Sequence, residues 1–399
     1  MRVRTQASVR WSLDGAGANR RALAAIDARA YYDGQHAAAL AHRRWRHADA
    51  GGHVSVAPRP AAIPDEAALD ALLSEPTTRV VDTLSRVDGD IVVLGAAGKM
   101  GPTLARMARR AADLAGRPRR VIGVSRFTER GAEHALQAHG VETIGCDLLD
   151  PDAVARLPRV PNVVYMAGRK FGSTGGEALT WAINCEVPAL VCRHFAASRI
   201  VALSTGNVYG LVAVTTGGST ERDEPRPVGE YAMSCLGRER IFEYESRTRN
   251  IRVATLRLNY AVEMRYGILV DLASRVLAGE PVPLEMGYVN VIWQGDANAM
   301  ALCALEQVSS PPAVLNIAGP ALSVRETADA LARRLGRPAR FSGVESPDAL
   351  LSNGAVGWSR LGAPRVAAAT LIEWTADWLA RGGITSGKPT RYESREGRF

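Results

Sequence analysis

Ile91-Val92-Val93-Leu94-Gly95-Ala96-Ala97-Gly98-Lys99-Met100-Gly101 is the stretch on which the fold turns. Four consecutive apolar residues, most of them β-branched and ending at a glycine, describe a short strand buried on both faces. From about Pro102 to Leu114 the spacing of apolar residues becomes helical, so the glycines form a turn between a strand and a helix. In such a turn one glycine permits the tight bend. Another lets backbone N–H groups approach a pyrophosphate, and a third allows close packing of helix on strand. The helix amino terminus adds a partial positive charge. A dinucleotide is the ligand this context suits, with Gly95, Gly98, Lys99, Met100 and Gly101 as its contacts.

Working outward, VIGV at 121–124, TIGCD at 143–147, NVVYMAG at 162–168, RIVALST at 199–205 and IRVATLRL at 251–258 repeat the pattern. Each run is short, apolar and followed by polar or glycine-rich residues. Alternation with helical stretches predicts a doubly wound parallel α/β sheet of Rossmann type, with a smaller carboxy-terminal substrate-binding region. Regular structure is expected to begin near Pro64, with Asp65 capping a helix through Ala67, Leu69 and Leu72. Beyond about residue 262 the rhythm is irregular, broken by Pro281, Pro283, Pro311 and Pro312. Ser323 and Glu326 form a capping box, and a last helix near Leu371 to Leu379 carries Trp374 and Trp378 as packing residues. The expected division is a disordered extension at 1–60, a dinucleotide-binding domain at 61–262, a mainly substrate-binding region at 263–385 and a tail at 386–399.

Among 399 residues, 49 Lys and Arg face 41 Asp and Glu, a net charge of +8. Residues 1–60 hold ten Arg against four Asp and no Glu, a surplus of six, so the other 339 residues are only about +2. Lysine occurs at Lys99, Lys170 and Lys388 alone. An alanine- and arginine-rich composition of this kind reflects a GC-rich genome and argues against nucleic acid as a partner. The arginine-rich start is also compatible with a transit peptide, but lacks the apolar run of a secretory signal. No run of about 20 apolar residues predicts a membrane span. Cys146, Cys185, Cys192, Cys235 and Cys303 are scattered, without a C-x-x-C pair or metal-ligand spacing, which reads as reduced thiols in the cytoplasm and no metal site.

The glycines are spaced G-x-x-G-x-x-G, and further motifs follow in order. Over residues 90 to 380 the chain resembles the extended short-chain dehydrogenase/reductase family, which includes the sugar-nucleotide epimerases and dehydratases. The resemblance implies that Asp147 and Leu148 lie near the adenine and that Ala167-Gly168-Arg169-Lys170 lines the cofactor as AGLK does in UDP-galactose epimerases. It also implies cofactor roles for Asn184 and for Asn259 in LRLNY (256–260). STGNVYG at 204–210 resembles the segment that carries the catalytic hydroxyl, here Thr205, and Tyr231 stands as the acid/base tyrosine. A homodimer follows by the same analogy.

The second strand ends at Ser125-Arg126, where an NAD enzyme usually places a carboxylate on the ribose. Its absence, with Arg126 present, favours NADP over NAD, although Arg126 can equally be a surface residue and Glu129 can reach the ribose. The family's Y-x-x-x-K motif reads Tyr231-Ala-Met-Ser-Cys235, and no other tyrosine precedes a lysine at that spacing. Two explanations stand. A cation from elsewhere, Lys170 or Arg238, replaces the missing charge, or the chain is a dinucleotide-binding sensor or accessory protein with little turnover. Sugar-nucleotide dehydratases carry an acid pair where this chain has Gly206-Asn207, which disfavours that elimination. Oxidation, reduction or epimerisation of a carbohydrate-like alcohol or ketone remains, with Lys170, Thr205 and Tyr231 as catalytic residues. Ser173, Thr174, Tyr260, Arg265 and Tyr266 are the candidate substrate contacts. Met286-Gly287-Tyr288-Val289-Asn290 stands where nucleotide-sugar enzymes often have an R-D-[F/Y] segment, so a free sugar, sugar acid or polyol fits as well as a nucleotide sugar.

Overall fold

Alternate side chains of the first strand enter different cores, and this sets the layering. In the computed structural model, which describes residues 59–398, Ile91 and Val93 pack with Leu104, Met107 and Met300 on one face of a sheet. Val92 and Leu94 pack with Val191, Phe195 and Phe242 on the other. This is the two-period of a strand covered on both faces. The expected extension at 1–60 lies outside the described residues save for its last two.

The sheet has seven strands: β1 (Ile91–Leu94), β2 (Val121–Ser125), β3 (Glu142–Gly145), β4 (Asn162–Tyr165), β5 (Arg199–Thr205), β6 (Arg252–Leu258) and β7 (Ala313–Ile317). Their order is β7-β6-β5-β4-β1-β2-β3, and every pairing is parallel. Ile91 faces Val121 on one side and Asn162 on the other. The chain therefore winds one way from β1 through β2 and β3 and the other way from β4 onward, which opens a crevice at the carboxyl ends of β1 and β4.

The helices are α1 (Glu66–Leu73), α2 (Thr78–Arg86), α3 (Gly101–Leu114), α4 (Ala132–Gln137), α5 (Pro151–Ala155), α6 (Glu177–Trp181), α7 (Val187–His194), α8 (Gly229–Arg249), α9 (Ile268–Ala278), α10 (Gln294–Cys303), α11 (Val324–Leu335), α12 (Ala355–Leu361) and α13 (Ala368–Ala380). Asp65 accepts from Ala68 N at 2.8 Å and starts α1, and Ser323 accepts from Glu326 N at 3.2 Å and starts α11. Trp374 and Trp378 are buried in the smaller region's core among Leu69, Met264, Leu272 and Leu331. The two last sheet-side elements come from beyond residue 262: β7 pairs with β6, and α10 packs on α2 and α3. β7 was not legible as a strand because Asn316 interrupts its apolar run. That side chain is buried, accepts from the Tyr209 hydroxyl at 2.9 Å and donates to Ser219 O at 2.9 Å. No helix among the described residues is long and apolar enough to cross a membrane.

Candidate active site

Two of the glycines in the first turn are dictated by space. Gly95 has φ +90°, and a Cβ there would stand 2.8 Å from Ala167 N, so the backbone after β1 passes directly under that after β4. A Cβ on Gly101 would stand 2.5 Å from Ala96 O, which fixes α3 against the end of β1. Gly98 meets only Gly95 O at 3.2 Å, leaving its outer side to a ligand. Met100 precedes α3 without a side-chain cap; Gly101 N donates to Gly98 O at 3.1 Å and Pro102 has no N–H, so the start of α3 faces the turn chiefly through its partial positive charge.

A two-lobed crevice lies over this turn. The first lobe, about 250 Å³, is lined by Gly95, Gly98, Arg126, Glu129, Asp147, Leu148, Ala167 and Gly168 among others. Asp147 uses one carboxylate oxygen to accept from Leu149 N at 3.0 Å, and Arg126 is exposed on the rim. Gly95, Gly98 and Met166 are shared with the second lobe, about 270 Å³, whose walls include Lys99, Lys170, Thr205, Tyr231, Asn259, Tyr260 and Tyr266.

In the second lobe β5 delivers Thr205 at its carboxyl end, and the first turn of α8 delivers Tyr231. Thr205 Oγ1 donates to Asn207 Oδ1 at 2.9 Å and accepts from Asn207 N at 3.2 Å. The Tyr231 hydroxyl interacts with both Thr205 and Cys235. Burial, and then the adjacent Cys235, hold the Tyr231 phenol well above the ordinary tyrosine range, while Arg238 and Thr205 pull the other way. Burial likewise raises the Cys235 thiol, against the opposing charge of Arg238. An inert buried thiol therefore stands at the position of the family's lysine.

The two cations considered as replacements occupy different places. Lys170 Nζ lines the crevice, 5.8 Å from the centre of the Tyr231 ring, and desolvation pushes its ammonium down to about 8. Arg238 lies one turn beyond Cys235, buried beneath Gly168. It donates to Leu203 O at 2.9 Å and to Asn184 Oδ1. Arg238 thus acts on Tyr231 through its field from below, and Lys170 faces the ligand side.

Other expected contacts are placed differently. Asn184 lines neither lobe. It sits in a π-helical turn, Ala182–Glu186, between α6 and α7 and spends its amide inside the protein. Its Oδ1 accepts from Arg169 N at 3.1 Å and its Nδ2 donates to Ser234 Oγ at 2.9 Å, so it fastens the segment that carries Lys170 to α8. Ser173 is buried outside the crevice and Thr174 is exposed, because positive φ values at Gly172 and Gly175 turn the chain away from the wall. Arg265 pairs with Glu263 at 3.1 Å and Asp70 at 2.8 Å, and lines a neighbouring depression. Asn259 faces the crevice but is anchored from behind, donating to Asn290 Oδ1 at 3.0 Å.

Ser204, Phe171 and Thr390 also line the second lobe and were not singled out from sequence, and Asn207 lines it too. Asn207 was considered only as an acid or base, roles it lacks, and its use in orienting Thr205 is a matter of backbone turn. Thr390 belongs to the carboxy-terminal segment, where no local pattern indicates a site. All five cysteines are free of disulfides, and no cluster of metal-ligating side chains occurs among the described residues.

A seven-stranded doubly wound sheet, with a glycine turn and a Thr–Tyr pair at its switch point, defines a Rossmann-type α/β protein of short-chain dehydrogenase/reductase form. The family model described as the NAD dependent epimerase/dehydratase family matches residues 91–318, more than half the chain, and the chain belongs to that family. No curated protein matches it. Among solved structures it is similar to a dTDP-glucose 4,6-dehydratase from Streptomyces venezuelae with NAD and TYD bound. The identity is 21%, the TM-score 0.63, and the match covers 73% of this chain and 97% of that one. A UDP-glucuronic acid 4-epimerase from Bacillus cereus in complex with NAD is 19% identical with TM-score 0.62, covering 74% and 99%. A UDP-glucose 4-epimerase from Thermotoga maritima with UDP-glucose is 18% identical with TM-score 0.61, covering 73% and 99%. At these identities the likeness establishes the fold.

Proposed function

We propose that the chain is a nicotinamide-dinucleotide-dependent oxidoreductase or epimerase acting on a carbohydrate-like alcohol or ketone. The observation that carries this is the convergence of Thr205, Tyr231 and Lys170 on one lobe of a crevice whose floor is the glycine turn. The residues present fit a dinucleotide. Gly95 and Gly98 clear a path for a pyrophosphate, the positive end of α3 lies at the same turn, and Asp147 and Leu148 wall the lobe suited to an adenosine. The dehydratase and the Bacillus epimerase named above hold NAD. Here Arg126 on the rim, with no carboxylate ending β2, favours a ribose phosphate and hence NADP, and Glu129 on the same rim is the feature that favours NAD.

A bound nicotinamide supplies the hydride chemistry. Tyr231 moves the proton of the reacting hydroxyl, Thr205 hydrogen-bonds the substrate oxygen, Asn207 orients Thr205, and Lys170 holds the nicotinamide ribose. Neither Gly206 nor Asn207 can serve as the acid or base of an elimination. Exposed apolar residues on α6 and α8 (Leu179, Trp181, Met233, Tyr244) supply a surface for a homodimer. The chain is read as a cytoplasmic protein. Purified protein is tested with both dinucleotides and a panel of ketoses, aldoses and sugar acids. Turnover abolished by Tyr231→Phe supports the assignment.

One observation favours a second reading, a dinucleotide-binding sensor: Cys235 sits against the Tyr231 hydroxyl where a charge normally lowers its pKa. Tight dinucleotide binding with no turnover on any substrate would support that reading instead.

A further inference from the structure

The substrate lobe carries cationic charge without acids. Its walls include two of the three lysines in the chain, Lys99 and Lys170, together with the hydroxyls of Ser204, Thr205, Tyr231, Tyr260, Tyr266 and Thr390, and no Asp, Glu or Arg. Lys99 belongs to the glycine turn, but its side chain leaves the turn and the start of α3. It reaches across to the chain beyond β6, where Nζ donates to Ala261 O at 2.9 Å and stands 3.7 Å over the Tyr266 ring. The side chain stays accessible from the crevice, yet the surrounding walls push its ammonium down to about 7.

The acids nearest in effect, Glu263 and Asp271, are already engaged. Glu263 is ion-paired with Arg265 at 3.1 Å, and Asp271 accepts from Thr390 N at 2.8 Å and Thr390 Oγ1 at 2.5 Å. Among the described residues Lys99 makes no ion pair. An ammonium held at the crevice wall beside a second lysine, with no ion pair of its own, is open to an anion from the ligand. The Gly98 and Gly101 N–H groups close the turn on itself, donating to Gly95 O at 2.9 Å and Gly98 O at 3.1 Å, while the Lys99 ammonium is carried away from the turn to Ala261 and Tyr266. Resting on the oxidoreductase reading of this site, we infer that Lys99 is a specificity-determining residue that binds a carboxylate of the substrate, making the substrate class a free sugar acid.

The test is binding to the protein–NADP complex, read by calorimetry so that it stands apart from turnover. Probes are D-glucuronate and its neutral counterpart D-glucose, on wild type, Lys99→Met and Lys99→Arg. Expected is tighter binding of the uronate by about tenfold or more, a preference erased in Lys99→Met and partly restored in Lys99→Arg. NADP is kept saturating for each of the three proteins, so that any change in its own affinity stays apart from the uronate preference. Equal affinity for both sugars, failure of the uronate to bind, or a Lys99→Met effect confined to NADP would overturn the inference. Tight, Lys99-dependent uronate binding without hydride transfer would sustain it and count against the oxidoreductase assignment alone.

Discussion

Tyr231 and Cys235 face each other across one turn of α8, with Arg238 another turn below and Lys170 on the open side. The chemistry at this spot is a competition between desolvation, which keeps the phenol protonated, and Arg238 with the Thr205 hydrogen bond, which oppose it. If Lys170 must be charged to hold the ribose, activity falls as pH rises through about 8, where its ammonium is lost. The pH–rate profile of Lys170→Met should lack that limb, with kcat/KM lower by about tenfold to a hundredfold at neutral pH. An unchanged profile would assign the role to Arg238. The glycine turn makes a separate stability claim. Gly95→Ala places a Cβ at φ +90°, 2.8 Å from Ala167 N, and should destabilise the fold by about 1–3 kcal/mol in denaturant titration. The glycines were legible from their place between a strand and a helix, whereas Thr205 and Tyr231 were reached only through the family resemblance. The displacement of Ser173 and Thr174 was not legible, because it depends on two local left-handed glycines.

Between elements, the base of the site is held by a buried ion pair. Arg257 on β6 pairs with Glu239 on α8 at 2.7 Å, and Glu239 also accepts from Ser204 on β5 at 2.5 Å. Both members of the pair are almost fully buried. Arg257→Met leaves Glu239 uncompensated and should cost about 3–5 kcal/mol by thermal or chemical unfolding. The double change Arg257→Met with Glu239→Leu should recover much of that. The carboxy-terminal segment is a second such link: Thr390 binds Asp271, Tyr392 Oη donates to Pro283 O at 3.1 Å, and Arg395 pairs with Asp348 at 2.6 Å. It walls the substrate lobe through Thr390 but contributes nothing to the adenosine lobe. Deleting residues 389–399 should therefore raise the substrate KM by about tenfold and leave dinucleotide affinity unchanged. The strands at 91–94 through 252–258 showed in the sequence through apolar runs and glycine ends. β7 and this segment did not, because their places are fixed by side-chain contacts distant in sequence.

At the scale of the whole molecule, a seven-stranded sheet brings one crevice to its switch point, and a smaller region built around α9, α11 and α13 closes it. The fold class was legible because a doubly wound sheet repeats one strand–helix unit. The boundary at 262 was less so, since β7 and α10 return to the sheet from beyond it. Leu179 and Tyr244 are 44% and 64% exposed, on α6 and α8. If those helices form the homodimer face, Leu179→Glu with Tyr244→Glu should halve the mass measured by sedimentation. A monomeric wild type would discard the dimer. The central claim is hydride transfer at Tyr231, and the most direct measurement is reduced-nicotinamide absorbance while purified protein is incubated with dinucleotide and a panel of sugars and sugar acids. The account predicts turnover on at least one substrate, lost in Tyr231→Phe. Tight dinucleotide binding with no turnover, or turnover untouched by Tyr231→Phe, would contradict it.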